Sequence, residues 1–517
     1  MKLLVHIFSI ALILFTTALL PLSSASADSQ GKAPAITRTL EAESKVITQH
    51  TTKVNGTSFA YTATTGTQPV WDDKDRVIAS LHYTYYTRDK VKDRASRPLL
   101  ISFNGGPGSA SVWMHLAYTG PKVINVDDEG YPLQPYGVKS NPYSVLDVSD
   151  ILYVNPVNTG FSRIVSADGQ APLTEPEKQK LFFGVNADIK YLAEWINTFV
   201  SRHNRWQSPK YLIGESYGTT RVAGLALELQ NRQWMYLNGV ILVSPTDIGI
   251  ERDGPVKAAN RLPYFAATAW HHKVLDPQYQ AQPLEQFVEE VEQFTINELI
   301  PALALGGFIE PQQKDQIATR MAQYSGLSKQ QILDNNLDVS NQYFWKNLLK
   351  GDRKTLGRLD SRYLGIDKRN SGDRQDYWPE LTSWLHSFTP AINYYLREQL
   401  NYKTDVKYNM FGNVHPWDRS NNNSGEQLRQ AMAQNPYLNV MIQAGYFDGA
   451  TNYFDAKYTM WQLDPSGLMK SRLRFEGYRS GHMMYLRRDD LKTSNQHIRE
   501  FINATIPAAD EPARYPR

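Results

Sequence analysis

The chain has 517 residues, which is long enough for one large core with an insertion, or for two domains. Its 55 Lys and Arg residues nearly balance 52 Asp and Glu residues, and no long run of one sign occurs, so the composition argues against a groove for polyanions and predicts no nucleic-acid partner. Cysteine is absent, which excludes disulfides and thiol chemistry.

The N-terminus has the pattern of a secretory signal peptide. A lysine at position 2 precedes an apolar run, and Ala25-Ser26-Ala27 matches a small-x-small cleavage site. We therefore predict that residues 1–27 are removed on export, which for a cysteine-free chain favours a bacterial periplasmic or secreted protein with no stable membrane span. Because the apolar run is long for a signal, an uncleaved membrane anchor is the competing interpretation.

The next part of the chain predicts a mostly parallel sheet with an antiparallel N-terminal edge. Between 51 and 87, Asn55-Gly56 is typical of a hairpin turn, and apolar residues alternate with polar ones as in a β-meander. Because helical patterns alternate with the later strands, the chain is predicted to form a parallel α/β sheet. Those strands are expected at 98–103, 151–154, 211–213 and 239–243.

From residue 247 to residue 435 the pattern changes to amphipathic helical segments and polar loops. We interpret 247–435 as a largely helical insertion, or cap domain, between core segments 28–246 and 436–517. Within it, residues 353–374 are dense in Arg, Lys and Asp, which is more typical of a solvated, salt-bridged surface than of a ligand site. The last strands are expected at 438–443 and 473–475, and the terminal helix at 491–501.

The motif G-E-S-Y-G at 214–218 lies between a predicted strand and a predicted helix. Such a G-x-S-x-G elbow lifts the serine oxygen clear of the sheet, and the next backbone N–H points to where a tetrahedral oxyanion forms. Ser216 is therefore the candidate nucleophile. The motif is short enough to arise by chance, so the prediction depends on its partners.

Two late loops offer those partners in the order Ser, Asp, His. The strand ending at Gln443 runs into a loop with Asp448, and the next strand runs into a loop with His482. α/β-Hydrolases place an orienting carboxylate and then a base at the ends of late strands. A lone Asp is usually a turn cap and a lone His a packing residue, so the order and the position carry this prediction.

A glycine-rich loop, N-G-G-P-G at 104–108, directly follows the predicted strand that ends at Phe103. Glycines let backbone N–H groups approach a substrate closely, so this loop is the candidate for a second oxyanion donor; the alternative is a plain turn. His271 and His272 lack the spacing of metal ligands, and we predict no metal and no cofactor.

Together these blocks resemble the serine carboxypeptidase family, an α/β-hydrolase group that removes C-terminal residues from peptides. The match is carried by the loop at 103–109, the block N-P-V-N-T-G-F-S at 155–162, the elbow, and the loops of Asp448 and His482. The resemblance implies an α/β-hydrolase fold in which Ser216 is the nucleophile, His482 is the general base and acid, and Asp448 orients His482. It requires no cofactor.

The resemblance also implies roles for four neighbouring residues. The backbone N–H groups of Gly106 and Tyr217 correspond to the oxyanion donors, and Asn104 and Glu215 match residues that bind the free α-carboxylate of the substrate. Two carboxylates repel each other unless one is protonated, so Glu215 would bind a peptide C-terminus in its neutral form, which favours acidic pH. The alternative is that Glu215 is incidental to the elbow.

Several positions depart from the family pattern. Thr219-Thr220-Arg221 follows the elbow where Gly-His is common, Ser102 stands where a tryptophan is common, and Ser109 replaces a cysteine. The triad is untouched by these changes. They leave the preferred C-terminal residue open, with the insertion as the expected source of the side-chain pockets.

We therefore predict an exported serine carboxypeptidase that acts on peptide or protein C-termini through an acyl-enzyme on Ser216. An acyltransferase or esterase on the same scaffold is the first alternative, because the triad does not choose the acyl acceptor. A non-catalytic binding protein with an inherited hydrolase fold is the second. The resemblance leaves homodimerisation open.

Overall fold

A computed structural model describes residues 38–166, 169, 171–250, 252–507 and 513–515. The predicted signal peptide at 1–27 lies outside the described residues. Beyond Thr39 the described chain packs as one compact unit. None of the helices in the described ranges is both long enough and apolar enough to cross a membrane.

The chain begins with antiparallel strands, continues with strands and helices in alternation, and becomes largely helical between β10 and β13. The described strands are β1 (Ser44–Val54), β2 (Thr57–Trp71), β3 (Val77–Arg88), β4 (Leu99–Phe103), β5 (Lys122–Ile124), β6 (Val138–Ser140), β7 (Asp150–Val154), β8 (Arg163–Ile164), β9 (Lys210–Glu215), β10 (Gly239–Val243), β11 (Thr355–Leu356), β12 (Leu364–Gly365), β13 (Asn439–Gly445) and β14 (Leu473–Tyr478). The described α-helices are α1 (Val112–Ala117), α2 (Glu175–Phe182), α3 (Val185–Arg202), α4 (Tyr217–Arg232), α5 (Pro255–Ala259), α6 (Leu262–His271), α7 (Pro277–Gln280), α8 (Leu284–Phe294), α9 (Ile300–Leu305), α10 (Pro311–Ser325), α11 (Lys329–Asp334), α12 (Asn341–Asn347), α13 (Pro379–Tyr394), α14 (Ser424–Gln434), α15 (Tyr453–Leu463) and α16 (Arg488–Thr505).

The central sheet has the strand order β1-β2-β3-β7-β4-β9-β10-β13-β14, with β8 paired to β3. The pairs β1–β2, β2–β3 and β3–β7 are antiparallel, whereas β7, β4, β9, β10, β13 and β14 run parallel to one another. The predicted fold class is confirmed: this is an α/β-hydrolase fold with a mostly parallel sheet and an antiparallel N-terminal edge.

The antiparallel edge begins with the predicted hairpin. Asn55 and Gly56 have φ values of 47° and 82°, the left-handed conformation that a two-residue hairpin turn requires at both positions. The turn pairs Val54 with Thr57. β1 starts at Ser44, before the predicted start at residue 51, because its alternating half-buried residues continue the ladder across a polar sequence.

The central strands are buried on both faces. Leu99, Ile101 and Phe103 of β4 pack into one apolar cluster, together with residues of α3, α4 and α14, while Leu100 packs into a second cluster with residues of α1, α13 and α16. Helices on both faces explain why these strands are continuous apolar runs in the sequence rather than alternating ones.

The chain between β10 and β13 is largely helical. Most of its helices, from α5 to α12, share a separate apolar cluster, whereas α13 and α14 pack into the clusters that cover the sheet. The domain division at 28–246, 247–435 and 436–517 stays a prediction, and the packing of α14 favours an insertion that ends before Ser424.

Candidate active site

Ser216 lies in a sharp turn between β9 and α4. Its backbone has φ 57° and ψ −128°, a conformation that is costly for a non-glycine residue and is held here by the surrounding sheet. The Ser216 N–H donates to Val243 O at 3.0 Å. A Cβ at Gly214 would lie 2.1 Å from Gly218 O, so the turn closes only with glycine at that position.

The glycine-rich loop at 104–108 packs directly against this elbow. A Cβ at Gly105 would lie 2.5 Å from Tyr217 N and 2.7 Å from Glu215 O, which excludes any side chain there. Gly106 has φ 107°, also a conformation that favours glycine. The loop thus packs Gly105, the residue before Gly106, against the backbone of Tyr217. Gly106 and Tyr217 as the oxyanion donors stay a prediction.

Asp448 and His482 are hydrogen-bonded to each other. Asp448 Oδ2 lies 2.6 Å from His482 Nδ1, and Asp448 Oδ1 accepts from the backbone N–H groups of Ala450 and Thr451 at 2.8 and 3.1 Å. The Thr451 hydroxyl donates to Asp448 Oδ2 at 2.8 Å. These bonds hold the carboxylate in one orientation; Thr451, which carries no motif, was missed by the sequence analysis.

The charge state of His482 is set by the same carboxylate. Burial lowers the pKa of His482, but Asp448 opposes this through its charge and its hydrogen bond, and the Glu215 charge adds to that effect, so the pKa is raised overall. An imidazolium is therefore stabilised at this position, as a base that takes a proton requires.

Ser244, the residue after β10, contacts both late loops. Its hydroxyl donates to His482 O at 2.8 Å, and its carbonyl oxygen lies 2.9 Å from Thr451 Oγ1. Within the described chain, the His482 side chain is hydrogen-bonded through Nδ1, which leaves Nε2 for the nucleophile. Ser216 Oγ and His482 Nε2 do not form a hydrogen bond among the described residues; such bonds often tighten only when substrate binds.

A short segment of the predicted insertion pairs with both late loops, and we call residues 357–361 the strap. Gly449 N donates to Arg358 O at 3.0 Å, and His482 N donates to Leu359 O at 2.7 Å. Ser361 N in turn donates to Phe447 O at 3.0 Å. The strap therefore fixes the backbone next to Asp448 and at His482.

Part of the charged segment 353–374 is buried, contrary to the prediction of a solvated surface. Asp360 and Arg362 are only 1% and 4% exposed and form a 2.7 Å ion pair, so this part is not a solvated surface. The pair stays buried because each charge neutralises the other. Gly481 makes room for it, since a Cβ there would lie 2.5 Å from Asp360 Cβ.

Asn104 and Glu215, the predicted carboxylate-binding pair, are in direct contact. Asn104 Nδ2 donates to Glu215 Oε2, and the Tyr485 hydroxyl donates to Glu215 Oε1 at 2.7 Å. Burial raises the pKa of Glu215 to about 7, against the effects of the His482 charge and of the hydrogen bonds from Tyr485 and Asn104. Glu215 is therefore mostly neutral in acid and mostly ionised at alkaline pH.

Arg221, one of the departures from the family pattern, braces the glycine-rich loop. The guanidinium is fully buried, pairs with Asp188 of α3 at 2.7 Å, and donates to Asn104 O at 2.7 Å. Another of its nitrogens donates to Pro107 O at 3.4 Å. The sequence analysis did not find this role, because only the fold brings α3, α4 and the loop together.

The comparisons with known proteins agree with this geometry. The model of one protein family, described as serine carboxypeptidase, matches residues 62–488. The chain belongs to the serine carboxypeptidase family. The matched range includes the elbow, the glycine-rich loop and both late loops. No cluster of three or more His, Cys, Asp or Glu residues that could hold a metal ion occurs in the described part of this family member.

Individual relatives of this serine carboxypeptidase family member match over shorter stretches. Serine carboxypeptidase-like 36 of Arabidopsis thaliana is 28% identical over 31% of this chain and 31% of its own length. Retinoid-inducible serine carboxypeptidase of Homo sapiens is 31% identical over 28% of each chain. The chain thus spans about a third of the length of these curated relatives.

One solved structure matches over most of the chain. It is that of Kex1(delta)p, a prohormone-processing carboxypeptidase from Saccharomyces cerevisiae, with a TM-score of 0.52 and 16% identity. The match covers 86% of this chain and 92% of that one. At this identity the match establishes the shared α/β-hydrolase fold.

Proposed function

We propose that this protein is a serine-type carboxypeptidase that releases C-terminal amino acids from peptides. The observation that carries the proposal is the buried contact between Asn104 and Glu215, directly beside the Ser216 elbow. A nucleophile next to a carboxylate-binding pair selects the last peptide bond of a chain. Membership of the serine carboxypeptidase family supports the same activity.

The reaction proceeds through an acyl-enzyme. Ser216 Oγ attacks the last peptide carbonyl while His482 Nε2 takes the serine proton, and Asp448 stabilises the resulting imidazolium. The backbone N–H groups of Gly106 and Tyr217 bind the oxyanion. His482 then gives its proton to the leaving amino acid, and water, deprotonated by the same imidazole, releases the shortened peptide from Ser216.

The terminal carboxylate of the substrate binds to Asn104 and to neutral Glu215. The second N–H of the Asn104 amide and the acid O–H of Glu215 can each donate a hydrogen bond, so together they bind the two oxygens of one carboxylate. Once Glu215 ionises, its charge repels the substrate. Because the pKa of Glu215 is about 7, we expect binding of free C-termini to be lost as the pH rises through neutrality.

Protonation of Glu215 also helps the base. The Glu215 charge is one of the effects that raise the pKa of His482, so His482 gives up its proton more easily when Glu215 is neutral. The same attraction favours ionised Glu215 with protonated His482 over the neutral pair that the reaction needs, so the coupling limits the population of the reactive neutral pair.

Hydrolysis of N-blocked dipeptides with a free C-terminal carboxylate, compared with their amides and esters from acidic to mildly alkaline pH, tests the proposal. We expect the free acids to be preferred, with a preference that disappears above about pH 7, and S216A to lower kcat by about four orders of magnitude or more. In E215Q the side chain cannot ionise, so the alkaline loss should vanish.

Each alternative has its own outcome in this experiment. If esters are cleaved with no preference for a free terminal carboxylate, the protein is an esterase or acyltransferase and not a carboxypeptidase. A folded protein whose Ser216 resists a fluorophosphonate label would be a non-catalytic binding protein. Full activity in S216A would exclude the triad.

Export is part of the same proposal. The small-x-small site at 25–27 supports cleavage after Ala27 and a periplasmic or secreted location. N-terminal sequencing of the mature protein should begin at Asp28; a retained Met1 would instead favour the membrane anchor. Homodimerisation stays a prediction that the molar mass in solution tests.

A further inference from the structure

Among the described residues, Tyr485 is the one side chain hydrogen-bonded to Glu215 that the reaction described above does not use. It lies three residues after His482, and its hydroxyl donates to Glu215 Oε1 at 2.7 Å. Asn104 occupies the other oxygen, Oε2. The three side chains are buried, so water does not compete with these bonds.

The position of Tyr485 is fixed by its neighbours. Its ring stacks on Tyr118 with the centroids 4.5 Å apart and the planes 13° apart. The Tyr118 hydroxyl donates to Gln443 Oε1 at 2.6 Å, and Gln443 Nε2 donates to the Tyr478 hydroxyl at 2.8 Å. The Tyr118 hydroxyl is thus engaged elsewhere, and Tyr485 is the tyrosine that reaches Glu215.

The charged and titratable groups around Glu215 come from several elements. His482 and Asp448 act on it from the late loops, with opposite signs, and they are paired with each other. Tyr485 contacts it from the turn after His482, and Tyr118 lies close by at the end of α1. The two direct hydrogen bonds each reach a different oxygen of Glu215, so they are the contacts that distinguish Oε1 from Oε2 as the site of its proton.

We propose that Tyr485 is a positioning residue that keeps the proton of neutral Glu215 on Oε2, beside the Asn104 amide. Both carboxyl oxygens accept one hydrogen bond, but a phenol is a more acidic and stronger donor than an amide, so Oε1 takes the role of the carbonyl oxygen and the O–H forms on Oε2. The Oε2–H and the free Asn104 N–H then form one two-donor site for the terminal carboxylate. This inference rests on the proposed carboxypeptidase function.

The test compares Y485F with Y118F, which removes a buried hydroxyl from the same stacked pair without touching Glu215. The substrates are an N-blocked dipeptide and its C-terminal methyl ester. For Y485F we expect kcat/KM on the free acid at pH 5 to fall about 3- to 10-fold, mostly through KM, with the ester unchanged. Y118F should change neither substrate.

The pH profile gives a second readout. A phenol donor stabilises the ionised carboxylate more than the neutral one, so its removal should move the alkaline loss of free-acid activity upward by about one pH unit. In an E215Q background nothing titrates at this position, so adding Y485F should not shift the pH profile of free-acid activity. Thermal unfolding and fluorophosphonate labelling of Ser216 establish that each variant is folded with an intact nucleophile.

The outcomes separate this inference from the proposed function. Suppose that the wild type prefers the free acid. If Y485F then lowers kcat/KM on the ester as much as on the free acid, or does not move the alkaline loss of activity, Tyr485 has only a structural role. The same holds if Y118F reproduces the Y485F profile. If the wild type itself ignores the terminal carboxylate, the proposed function fails first.

Discussion

The two halves of the candidate active site are held in place by different means. The elbow and the glycine-rich loop are fixed by close backbone contacts between neighbouring parallel strands, as the space around Gly105 shows. The loops of Asp448 and His482 are fixed by the strap, which the chain supplies from the predicted insertion. The candidate nucleophile is therefore held by close backbone contacts, and the candidate base and its carboxylate by the docking of a distant segment.

The largest effect is expected from a side chain placed inside the first half. In G105A the new Cβ would meet Tyr217 N and Glu215 O at 2.5 and 2.7 Å, so the loop and the elbow must separate. A displacement of this kind should lower kcat/KM at least about a hundredfold on peptides and esters alike. Steady-state kinetics on both substrates measure it.

Gly137 offers a matched control for that substitution. A Cβ at Gly137 would have no atom within 4 Å, and its φ lies outside the left-handed region. G137A should therefore keep wild-type kinetics. Wild-type activity in G105A would contradict the view that backbone contact alone sets the elbow.

A smaller effect is expected when the brace of the loop is removed. R221M leaves Asp188 buried without its partner, which should cost about 3–5 kcal/mol in the free energy of unfolding and lower activity on all substrates. The double variant R221M/D188L removes both charges. It should recover most of the stability but not the activity, since Asn104 O still lacks its donor.

Urea unfolding and kinetics of the two Arg221 variants separate bracing from stability. If stability and activity recover equally in R221M/D188L, Arg221 acts only through its ion pair with Asp188.

The smallest effects concern the second half, through the support of the strap. Glu380 Oε1 accepts from Leu359 N at 2.8 Å, next to the carbonyl that receives His482 N. E380A removes this acceptor and should lower kcat/KM about tenfold on peptides and esters, because His482 loses part of its alignment. E380Q keeps an acceptor oxygen and should retain activity.

Glu380 also predicts a pH dependence of stability. Burial raises its pKa from 4.5 to about 7. From about pH 4.5 to pH 7 the unfolded chain releases this proton while the folded chain keeps it, so the contribution of Glu380 to stability falls as the pH rises, by about 3 kcal/mol in all. E380Q lacks this loss, so its Tm should exceed that of the wild type at pH 8 but not at pH 4.5.

The local motifs predicted the sharp turn at Ser216, whose role as the nucleophile stays a prediction. A strand, a G-x-S-x-G turn and a helix are contiguous in the sequence, so the conformation of Ser216 follows from neighbours such as Gly214 and Gly218. Asp448 and His482 were found from their order and their strand ends. Thr451, Arg221 and Tyr485 were missed, because each acts on a residue that only the fold places beside it.

The segment 353–374 was misread in part for a related reason. A run of Arg, Lys and Asp carries no information about pairing, so the sequence could not distinguish a solvated surface from the buried pair of Asp360 and Arg362. The strap itself has no periodic pattern, since its hydrogen bonds go to loops that lie far away in the chain.

By itself the sequence determined the α/β-hydrolase fold, the family, and the residues of the triad and of the Asn104–Glu215 pair as predictions. It could do so because hydrophobic periodicity and glycine spacing act over a few residues. Only the tertiary structure decided how Asp448 and His482 are held, which donor fills each oxygen of Glu215, and what Arg221 braces. These contacts join segments that are distant in the chain, and their geometry depends on packing, which no local pattern encodes.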